Sequence, residues 1–371
     1  MKIYYDENMP FAAEFFGELG ELVPFSGREV NAQQLSDADV LLVRSITQVN
    51  QQLLAKNEQL KFVGTATIGV DHIDQDYLAS RNIPFSSAPG CNAISVAEYV
   101  ISALVILAER YLFSLKDKKV GIVGAGNTGS RLAEKLDALG IEYCLCDPVL
   151  EQTNDQREFV SLEQALTCDV ISLHVPLVKD GDTPTLHLLN RARLSNLRDD
   201  QILINACRGD VIDNQALLEL KQAGHGMTLV LDVWEGEPNV LTPLIDFVDI
   251  TSAHIAGYSL EGKARGTEML YQALCQQLKI SPKNTLSAFL PKASIDYVEI
   301  KQDFNEILLN QLVKMVYDVR RDDAIFRCQL SSLGFDTIRK TYPTRREFSS
   351  VRVAQAKENL ATLYSLGFSQ P

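Results

Sequence analysis

Three side chains with catalytic potential, Arg208, Glu237 and His254, each follow a short apolar segment in the second half of the chain. If these segments are strands of a parallel sheet, their carboxyl ends meet at one edge, which is where ligands bind in such sheets. Side chains that are far apart in the sequence can then converge. The segments are Ile202–Cys207, Leu229–Leu231 and Ile250–Ala253.

These residue types fit the oxidation of a 2-hydroxy acid. An arginine fork binds a carboxylate through two parallel hydrogen bonds, and histidine is the usual base near neutral pH. A glutamate beside the histidine would fix its tautomer and stabilise the imidazolium. Each residue alone could be structural, so the prediction depends on all three occurring together. Cys207 is interpreted as a small packing residue, because hydride transfer needs no covalent intermediate.

A glycine-rich segment, Gly124–Gly129, predicts the cofactor. It reads G-A-G-N-T-G, follows the apolar segment Val120–Val123 and opens an amphipathic stretch. Such glycines allow a tight turn and let a pyrophosphate approach the backbone at a helix amino terminus. Asp147 lies 18 residues after Gly129, where a carboxylate binds the adenosine ribose and repels a 2′-phosphate. The sequence therefore predicts NAD rather than NADP, although Asp147 could instead only cap the turn at Pro148.

Composition narrows the class of protein. The chain has 371 residues, of which 46% are hydrophobic and 22% charged, and its net charge is −13. This length predicts two or three domains, and the negative charge disfavours a nucleic-acid partner. The seven cysteines include no C-x-x-C pair, so we expect no metal site and reduced thiols, which favours the cytoplasm. No apolar run approaches the ~20 residues of a membrane span, so no membrane partner is expected.

Apolar segments alternate with helical stretches, as in α/β domains with parallel sheets. Helices are predicted at Asn50–Ala55, Ser95–Tyr111, Leu260–Leu278 and Phe304–Val319, and a strand near Val351–Val353. The predicted fold class is α/β, with two Rossmann-like doubly wound parallel-sheet domains and a carboxy-terminal α+β domain.

The motifs together resemble the D-isomer-specific 2-hydroxyacid dehydrogenases. The matching segments are Gly64–Asp74, Asn92–Glu98, Gly124–Gly129, Asn205–Gly209, Leu231–Pro238 and His254–Gly257. The resemblance implies that Arg208, Glu237 and His254 carry catalysis. The cofactor contacts that it implies are Gly124, Gly126, Asn127, Thr128, Asp147, Val175, Ala206, Cys207, Asp232 and Gly257.

The family fold implies a discontinuous substrate-binding domain, residues 1–93 and 257–281, with an NAD-binding domain at 94–256. A narrower resemblance covers the whole chain and indicates a branch that oxidises a small phosphorylated 2-hydroxy acid. It implies that Ser45, Thr67 and Tyr258 bind substrate and that residues 282–371 form the dimerisation domain of a homodimer. The segments that carry it are Asp6–Pro10, Val43–Ser45, Ala88–Ala93, Ala256–Thr267 and Val316–Ala324.

Two alternatives remain open at this point. One is a phosphoglycerate or glycerate dehydrogenase, which performs related chemistry on another substrate. The other is a catalytically idle NAD-sensing protein, against which the intact set of Arg208, Glu237 and His254 argues.

A substrate phosphate would need cationic partners, preferably arginine. Arg44, beside Ser45, is one candidate, and the pairs Arg320–Arg321 and Arg345–Arg346 are others. We expect an arginine of the carboxy-terminal block, from this chain or from a partner subunit, to reach the phosphate. Alternatively, these arginines are solvated or paired with nearby aspartates, Asp322 and Asp323.

Overall fold

A computed structural model describes residues 1–355 and 361–371. The chain forms two compact units, each containing a parallel sheet. The first unit comprises Met1–Asn92 and Tyr258–Pro291, and the second comprises Ala93–Gly257 and Lys292–Pro371.

The strands and helices alternate along most of the chain. The strands are β1 Lys2–Asp6, β2 Glu21–Phe25, β3 Val40–Val43, β4 Phe62–Thr65, β5 Phe85–Ser86, β6 Val120–Val123, β7 Tyr143–Cys146, β8 Val170–Leu173, β9 Ile202–Asn205, β10 Thr228–Leu231, β11 Ile250–Thr251, β12 Tyr297–Ile300 and β13 Arg352–Gln355. The helices are α1 Ala12–Phe16, α2 Gln75–Ser80, α3 Ala93–Tyr111, α4 Asn127–Leu139, α5 Pro148–Glu151, α6 Leu162–Ala165, α7 Arg191–Ser195, α8 Asn214–Gln222, α9 Thr242–Ile245, α10 Leu260–Leu278, α11 Glu306–Val316, α12 Val319–Leu333, α13 Phe335–Thr341 and α14 Ala361–Leu366.

The sheet of the first unit has the order β2-β1-β3-β4-β5, and all its neighbours are parallel. Its central strand β3 is buried along its whole length because both faces of the sheet are covered. Alternate residues of a strand point to opposite faces. Accordingly, Val40 and Leu42 pack into the cluster that contains Leu270 of α10, while Leu41 and Val43 pack into a second cluster.

The sheet of the second unit has the order β11-β10-β9-β8-β6-β7 and is also parallel throughout. Strand β6 lies between β7 and β8, so the chain leaves β6 toward one side of the sheet and later returns on the other. This reversal creates a crevice at the carboxyl ends of β6 and β8, the usual position of a ligand in such folds. The glycine-rich segment follows β6 at this point.

The carboxy-terminal part of the second unit contains β12 and β13, which pair in parallel, and the helices α11 to α14. Its Phe326, on α12, stacks on Trp234 with ring centroids 5.3 Å apart. The predicted fold class is confirmed: two parallel Rossmann-like sheets are accompanied by a carboxy-terminal α+β region. Among the residues that the structure describes, no helix is both long and apolar enough to span a membrane.

Two helix predictions need correction. Asn50–Ala55 forms consecutive turns instead of a helix. The segment is short, and the side chain of the buried Asn57 ends it by donating to the carbonyl of Ala38 at 2.9 Å. The predicted helix Phe304–Val319 is shorter, at Glu306–Val316, because Asn305 caps its start and Asp318 caps a separate helix, α12.

A buried ion pair joins α3 to α4. The Nζ atom of Lys135 lies 3.2 Å from Oε1 of Glu98 and donates to the carbonyl of Leu366 at 2.6 Å. Burial raises the pKa of Glu98 to about 7, although Lys135 opposes this shift. The second carboxylate oxygen of Glu98 accepts the backbone N–H of Phe348 at 3.0 Å. The pair therefore connects α3 and α4 to the carboxy-terminal segment.

Replacing Lys135 tests how much the protein depends on the buried ion pair for its stability. We expect Lys135→Met to lower the free energy of unfolding by about 3 kcal/mol, because it leaves a buried carboxyl without its cation. Arg131→Met on the same helix is the matched control, since Arg131 pairs with Glu134 on the surface and such pairs contribute only ~0–1 kcal/mol. Urea unfolding measures both. Equal losses in the two variants would contradict the structural role of the buried pair.

Candidate active site

His254 and Glu237 form a hydrogen-bonded pair in the second unit. The Nδ1 atom of His254 lies 2.8 Å from Oε2 of Glu237. Because a carboxylate can only accept, Nδ1 carries a proton, and in the neutral form of the imidazole Nε2 keeps its lone pair. Burial alone would raise the pKa of Glu237, but the charge and hydrogen bond of His254 and the N–H of Trp234 outweigh it and hold the pKa below its usual value. Glu237 is therefore ionised at neutral pH.

The backbone of His254 has an unusual conformation, which Asp232 stabilises. His254 has a φ of 56°, in the left-handed region, which costs a residue with a side chain about 1–2 kcal/mol. The buried carboxylate of Asp232 accepts the next two backbone N–H groups, of Ile255 at 2.7 Å and Ala256 at 2.9 Å. It also accepts the hydroxyl of Ser252 at 2.6 Å. These bonds fix the turn from which the imidazole projects.

Arg208 lies in the loop after β9, and this loop packs closely against the loop that carries Glu237. A Cβ added to Gly209 would lie 1.9 Å from the carbonyl carbon of Trp234, so only glycine permits the contact. Asn205 shapes the loop by donating from Nδ2 to the carbonyl of Arg208 at 2.9 Å. The structure thus places Arg208, Glu237 and His254 on loops at the carboxyl ends of three adjacent strands, β9, β10 and β11.

The glycine loop after β6 fits a dinucleotide. Gly124 has a φ of 95°, and a Cβ there would lie 2.6 Å from the backbone of His174. A Cβ on Gly126 would meet nothing within 4 Å, so the backbone is open at that point. Helix α4 starts at Asn127, and its N-cap, Gly126, has no side chain that could bind the first N–H groups. These groups can bind a pyrophosphate. Near the loop, the buried Nδ1 atom of His174 has no hydrogen-bond partner among the described residues.

Asp147 follows β7 at the position expected for ribose binding. Its Oδ2 atom accepts the N–H of Ala125, in the glycine loop, at 2.9 Å, and Oδ1 accepts N–H groups of Val149 and Leu150. The carboxylate is therefore held beside the glycine loop and also caps α5. A carboxylate oxygen has two lone pairs, so these bonds leave acceptor capacity for ribose hydroxyls.

The other expected cofactor residues lie at the same edge of the sheet, either in loops or at the start of a helix. They are Asn127 and Thr128 at the start of α4, Val175 after β8, Ala206 and Cys207 after β9, and Gly257 after β11. Burial raises the pKa of the Cys207 thiol to about 11, which agrees with a packing role. Asp232, in contrast, is 1% exposed and binds the His254 turn. Its contact with cofactor remains a prediction.

The expected substrate-binding residues Ser45, Thr67 and Tyr258 lie in the first unit. Ser45 and Thr67 each follow a strand by two residues, and these strands, β3 and β4, are neighbours. Both residues therefore lie at the same carboxyl edge. The Thr67 hydroxyl donates to the carbonyl of Gly69 at 2.8 Å, which folds its own loop. Tyr258 precedes Ser259, the N-cap of α10.

Three of the carboxy-terminal arginines, Arg320, Arg321 and Arg345, contact other groups of the chain. Arg345 is only 3% exposed, its guanidinium lies 3.8 Å from the Tyr317 ring centroid, and Nη1 donates to the carbonyl of Ala256 at 2.9 Å. It is thus committed to the protein interior, which disfavours Arg345 as a phosphate ligand, and the expectation that another arginine of this block reaches the phosphate stays a prediction. Arg320 and Arg321 pair with aspartates, Asp318 and Asp322.

Sequence reasoning missed the supporting residues of the site. Trp234, the single tryptophan of the chain, donates its backbone N–H to Glu237 Oε1 at 2.9 Å and its indole N–H to the carbonyl of Ser252 at 3.0 Å. The hydroxyl of Tyr99 pairs with that of Ser252 at 2.8 Å. The one signal in the sequence for these supporting residues was the tryptophan inside the segment Leu231–Pro238. Lys263, which approaches Tyr258, was also missed.

Comparisons with known proteins agree with this geometry. Residues 106–256 match the model of the D-isomer specific 2-hydroxyacid dehydrogenase NAD binding domain, and residues 289–367 match a domain of unknown function. The chain is 64% identical to the erythronate-4-phosphate dehydrogenase of Colwellia psychrerythraea over 100% of both chains. It is 53% identical to that of Tolumonas auensis, over 100% of this chain and 99% of the relative.

A solved structure gives the same result for the fold. The D-lactate dehydrogenase of Aquifex aeolicus, crystallised with NAD and lactic acid, is 27% identical, with a TM-score of 0.61. The match covers 75% of this chain and 95% of that one. The predicted cofactor is confirmed: residues 106–256 form an NAD-binding domain.

Asp147 should determine the choice between NAD and NADP. We expect Asp147→Ala with Pro148→Arg to shift the NADP-to-NAD ratio of kcat/KM at least about tenfold toward NADP, because a repulsive charge is removed and a cation supplied. The ratio cancels any loss caused by the missing cap of α5. Pro148→Arg alone is the control. An unchanged ratio in the double variant would show that Asp147 does not face the ribose.

Proposed function

We propose that this chain, which belongs to the erythronate-4-phosphate dehydrogenases within the D-isomer-specific 2-hydroxyacid dehydrogenase family, oxidises 4-phospho-D-erythronate with NAD. The product is the 2-oxo acid 3-hydroxy-2-oxo-4-phosphooxybutanoate, in the biosynthesis of pyridoxal 5′-phosphate. The full-length similarity to enzymes of that name supports the substrate. The observation that carries the chemistry is the hydrogen bond between His254 Nδ1 and Glu237.

His254 is the base in this proposal. With Nδ1–H bound to Glu237, the lone pair on Nε2 accepts the proton of the substrate 2-hydroxyl. The ionised Glu237 stabilises the imidazolium that results. Arg208 binds the substrate carboxylate through its guanidinium and so orients C2. NAD held by the glycine loop and Asp147 would supply the acceptor for the hydride of C2. The imidazole is 27% exposed, so the proton can afterwards pass to solvent.

The two alternatives have weaker support. A phosphoglycerate or glycerate dehydrogenase would not explain why relatives that match the whole chain carry the erythronate-4-phosphate name. An idle NAD-binding protein would not need the left-handed backbone at His254, which costs free energy and serves to aim the imidazole at Glu237. The free cysteines support a cytoplasmic protein as part of this proposal.

Replacing His254 tests the base. We expect His254→Ala to lower kcat by about 100-fold or more, the usual scale for a lost general base, while NAD affinity stays near normal. His187→Ala is a matched control, because His187 also contacts a glutamate, with Nε2 2.6 Å from Glu235 Oε1, and also has a positive φ. The assay follows NAD reduction with 4-phospho-D-erythronate, 3-phosphoglycerate and glycerate.

Two outcomes of this assay would count against the proposal. Near-normal turnover in His254→Ala would refute the role of the base. A higher kcat/KM of the unaltered protein for 3-phosphoglycerate or glycerate than for 4-phospho-D-erythronate would refute the substrate.

The homodimer is supported by apolar side chains that the carboxy-terminal block exposes, namely Ile295, Tyr297, Ile307 and Leu333. These side chains would leave water if this block formed the contact between two subunits. We expect sedimentation equilibrium to give twice the chain mass. Ile295→Asp with Tyr297→Lys should shift the protein toward the monomer, whereas Val149→Lys, which alters an exposed apolar residue elsewhere, should not. A monomeric unaltered protein would contradict this part of the proposal.

A further inference from the structure

Two cations approach one aromatic ring at the carboxyl edge of the sheet in the first unit. Arg44 follows β3 directly, and Lys263 lies near the start of α10. The guanidinium carbon of Arg44 is 5.2 Å from the Tyr258 ring centroid, and Nζ of Lys263 is 5.7 Å from it. Both distances are within the range of cation–π contacts. All three residues are partly exposed, so a dissolved ligand can reach them.

Neither cation is neutralised by a carboxylate of residues 1–355 or 361–371. Among the described residues, no carboxylate forms an ion pair with Arg44 or Lys263, and Nζ of Lys263 has no hydrogen-bond acceptor. Among the described residues, the one hydrogen bond of the Arg44 guanidinium runs from Nη1 to the carbonyl of Asn8, at 3.0 Å. Most of its N–H groups are therefore left for another partner. Elsewhere the chain pairs such groups, as Arg327 with Asp323 at 2.9 Å.

Two cations that approach the same ring and have no carboxylate partner among the described residues, in a protein of net charge −13, indicate an anion-binding site. Burial, and then the charge of Arg44, lower the pKa of Lys263 to about 8. An anion that binds both cations would relieve this repulsion. A phosphate monoester carries nearly two negative charges at pH 7, which matches the two cations.

We propose that Arg44 and Lys263 bind the phosphate group of the substrate, with Tyr258 as the ring that holds the two cations together. This inference rests on the proposed function, which commits Arg208 to the substrate carboxylate and leaves the phosphate without a partner. Ser45, next to Arg44 in the chain, supplies a hydroxyl at the same edge. The site recognises a phosphate monoester and distinguishes it from the hydroxyl of unphosphorylated erythronate.

The site has a pH dependence that follows from the lysine. Lys263 is charged below about pH 8 and loses its proton above it. The phosphate completes its ionisation near pH 6. Affinity should therefore be highest between about pH 6 and 8, and KM should rise at higher pH. Within the described part of the chain, Lys263 faces the Arg44 guanidinium, from the end of β3, and the Tyr258 ring, from the turn before α10.

The test compares substrates with and without the phosphate. We expect Lys263→Met to raise KM for 4-phospho-D-erythronate by about tenfold or more, since a charged hydrogen bond is lost, while kcat stays within about twofold. KM for erythronate should not change. Lys263→Arg should retain most of the affinity and lose the rise of KM above pH 8. Lys283→Met is the matched control, because it removes one charge from an exposed pair with Glu18 in the same unit.

Calorimetric titration with inorganic phosphate separates this inference from the proposed function, because it needs no turnover. Weaker phosphate binding in Lys263→Met than in Lys283→Met supports the site, even if 4-phospho-D-erythronate proves not to be the substrate. Unchanged phosphate binding in Lys263→Met overturns it. So does an equal rise of KM for the phosphorylated and unphosphorylated acids, since the lysine would then act on the fold or on another part of the substrate.

Discussion

The buried carboxylate of Asp232 is the constraint on which the catalytic geometry depends. The carboxylate accepts the backbone N–H groups of Ile255 and Ala256. The backbone carbonyl of Asp232 accepts the N–H of His254 at 2.6 Å. Without these bonds the left-handed backbone of His254 would have no compensation for its cost. The imidazole would then leave Glu237, and neither its tautomer nor its charge would be controlled. Burial raises the pKa of Asp232, and the hydrogen bonds that it accepts oppose this rise. The backbone of this turn, held by Asp232, thus determines where the catalytic imidazole lies.

The carboxy-terminal part of the second unit reinforces that turn. Arg345 donates to the carbonyl of Ala256, so this residue is held through its N–H by Asp232 and through its carbonyl by Arg345. Phe326 stacks on Trp234, which in turn donates to Glu237 and Ser252. These contacts explain why an arginine that the sequence offered for phosphate binding is buried instead. Its guanidinium holds the backbone carbonyl of Ala256.

Much of this arrangement could be predicted from the sequence, because local signals determine it. Buried parallel strands are continuous apolar runs, so the strand ends that carry Arg208 and His254 were located, and the glycine loop identified the cofactor domain. The rest depends on tertiary contacts. A charged residue in a helix, such as Lys263, has no sequence signal that separates a ligand-binding cation from a solvated one. For Arg345 the sequence is equally ambiguous, because nothing in it separates a buried structural arginine from one that binds a ligand. Asn50–Ala55 forms turns instead of the predicted helix, and the buried side chain of Asn57, just after it, binds the carbonyl of Ala38 in a contact that the sequence does not reveal.

The central claim is that the chain removes hydrogen from C2 of 4-phospho-D-erythronate. The most direct measurement uses substrate that carries deuterium at C2 and follows the label by mass spectrometry after a single turnover with NAD. The account predicts that the reduced cofactor contains the deuterium and that the organic product is the unlabelled 2-oxo acid. Recovery of the deuterium in water or in unreacted substrate, with no labelled cofactor, would contradict it.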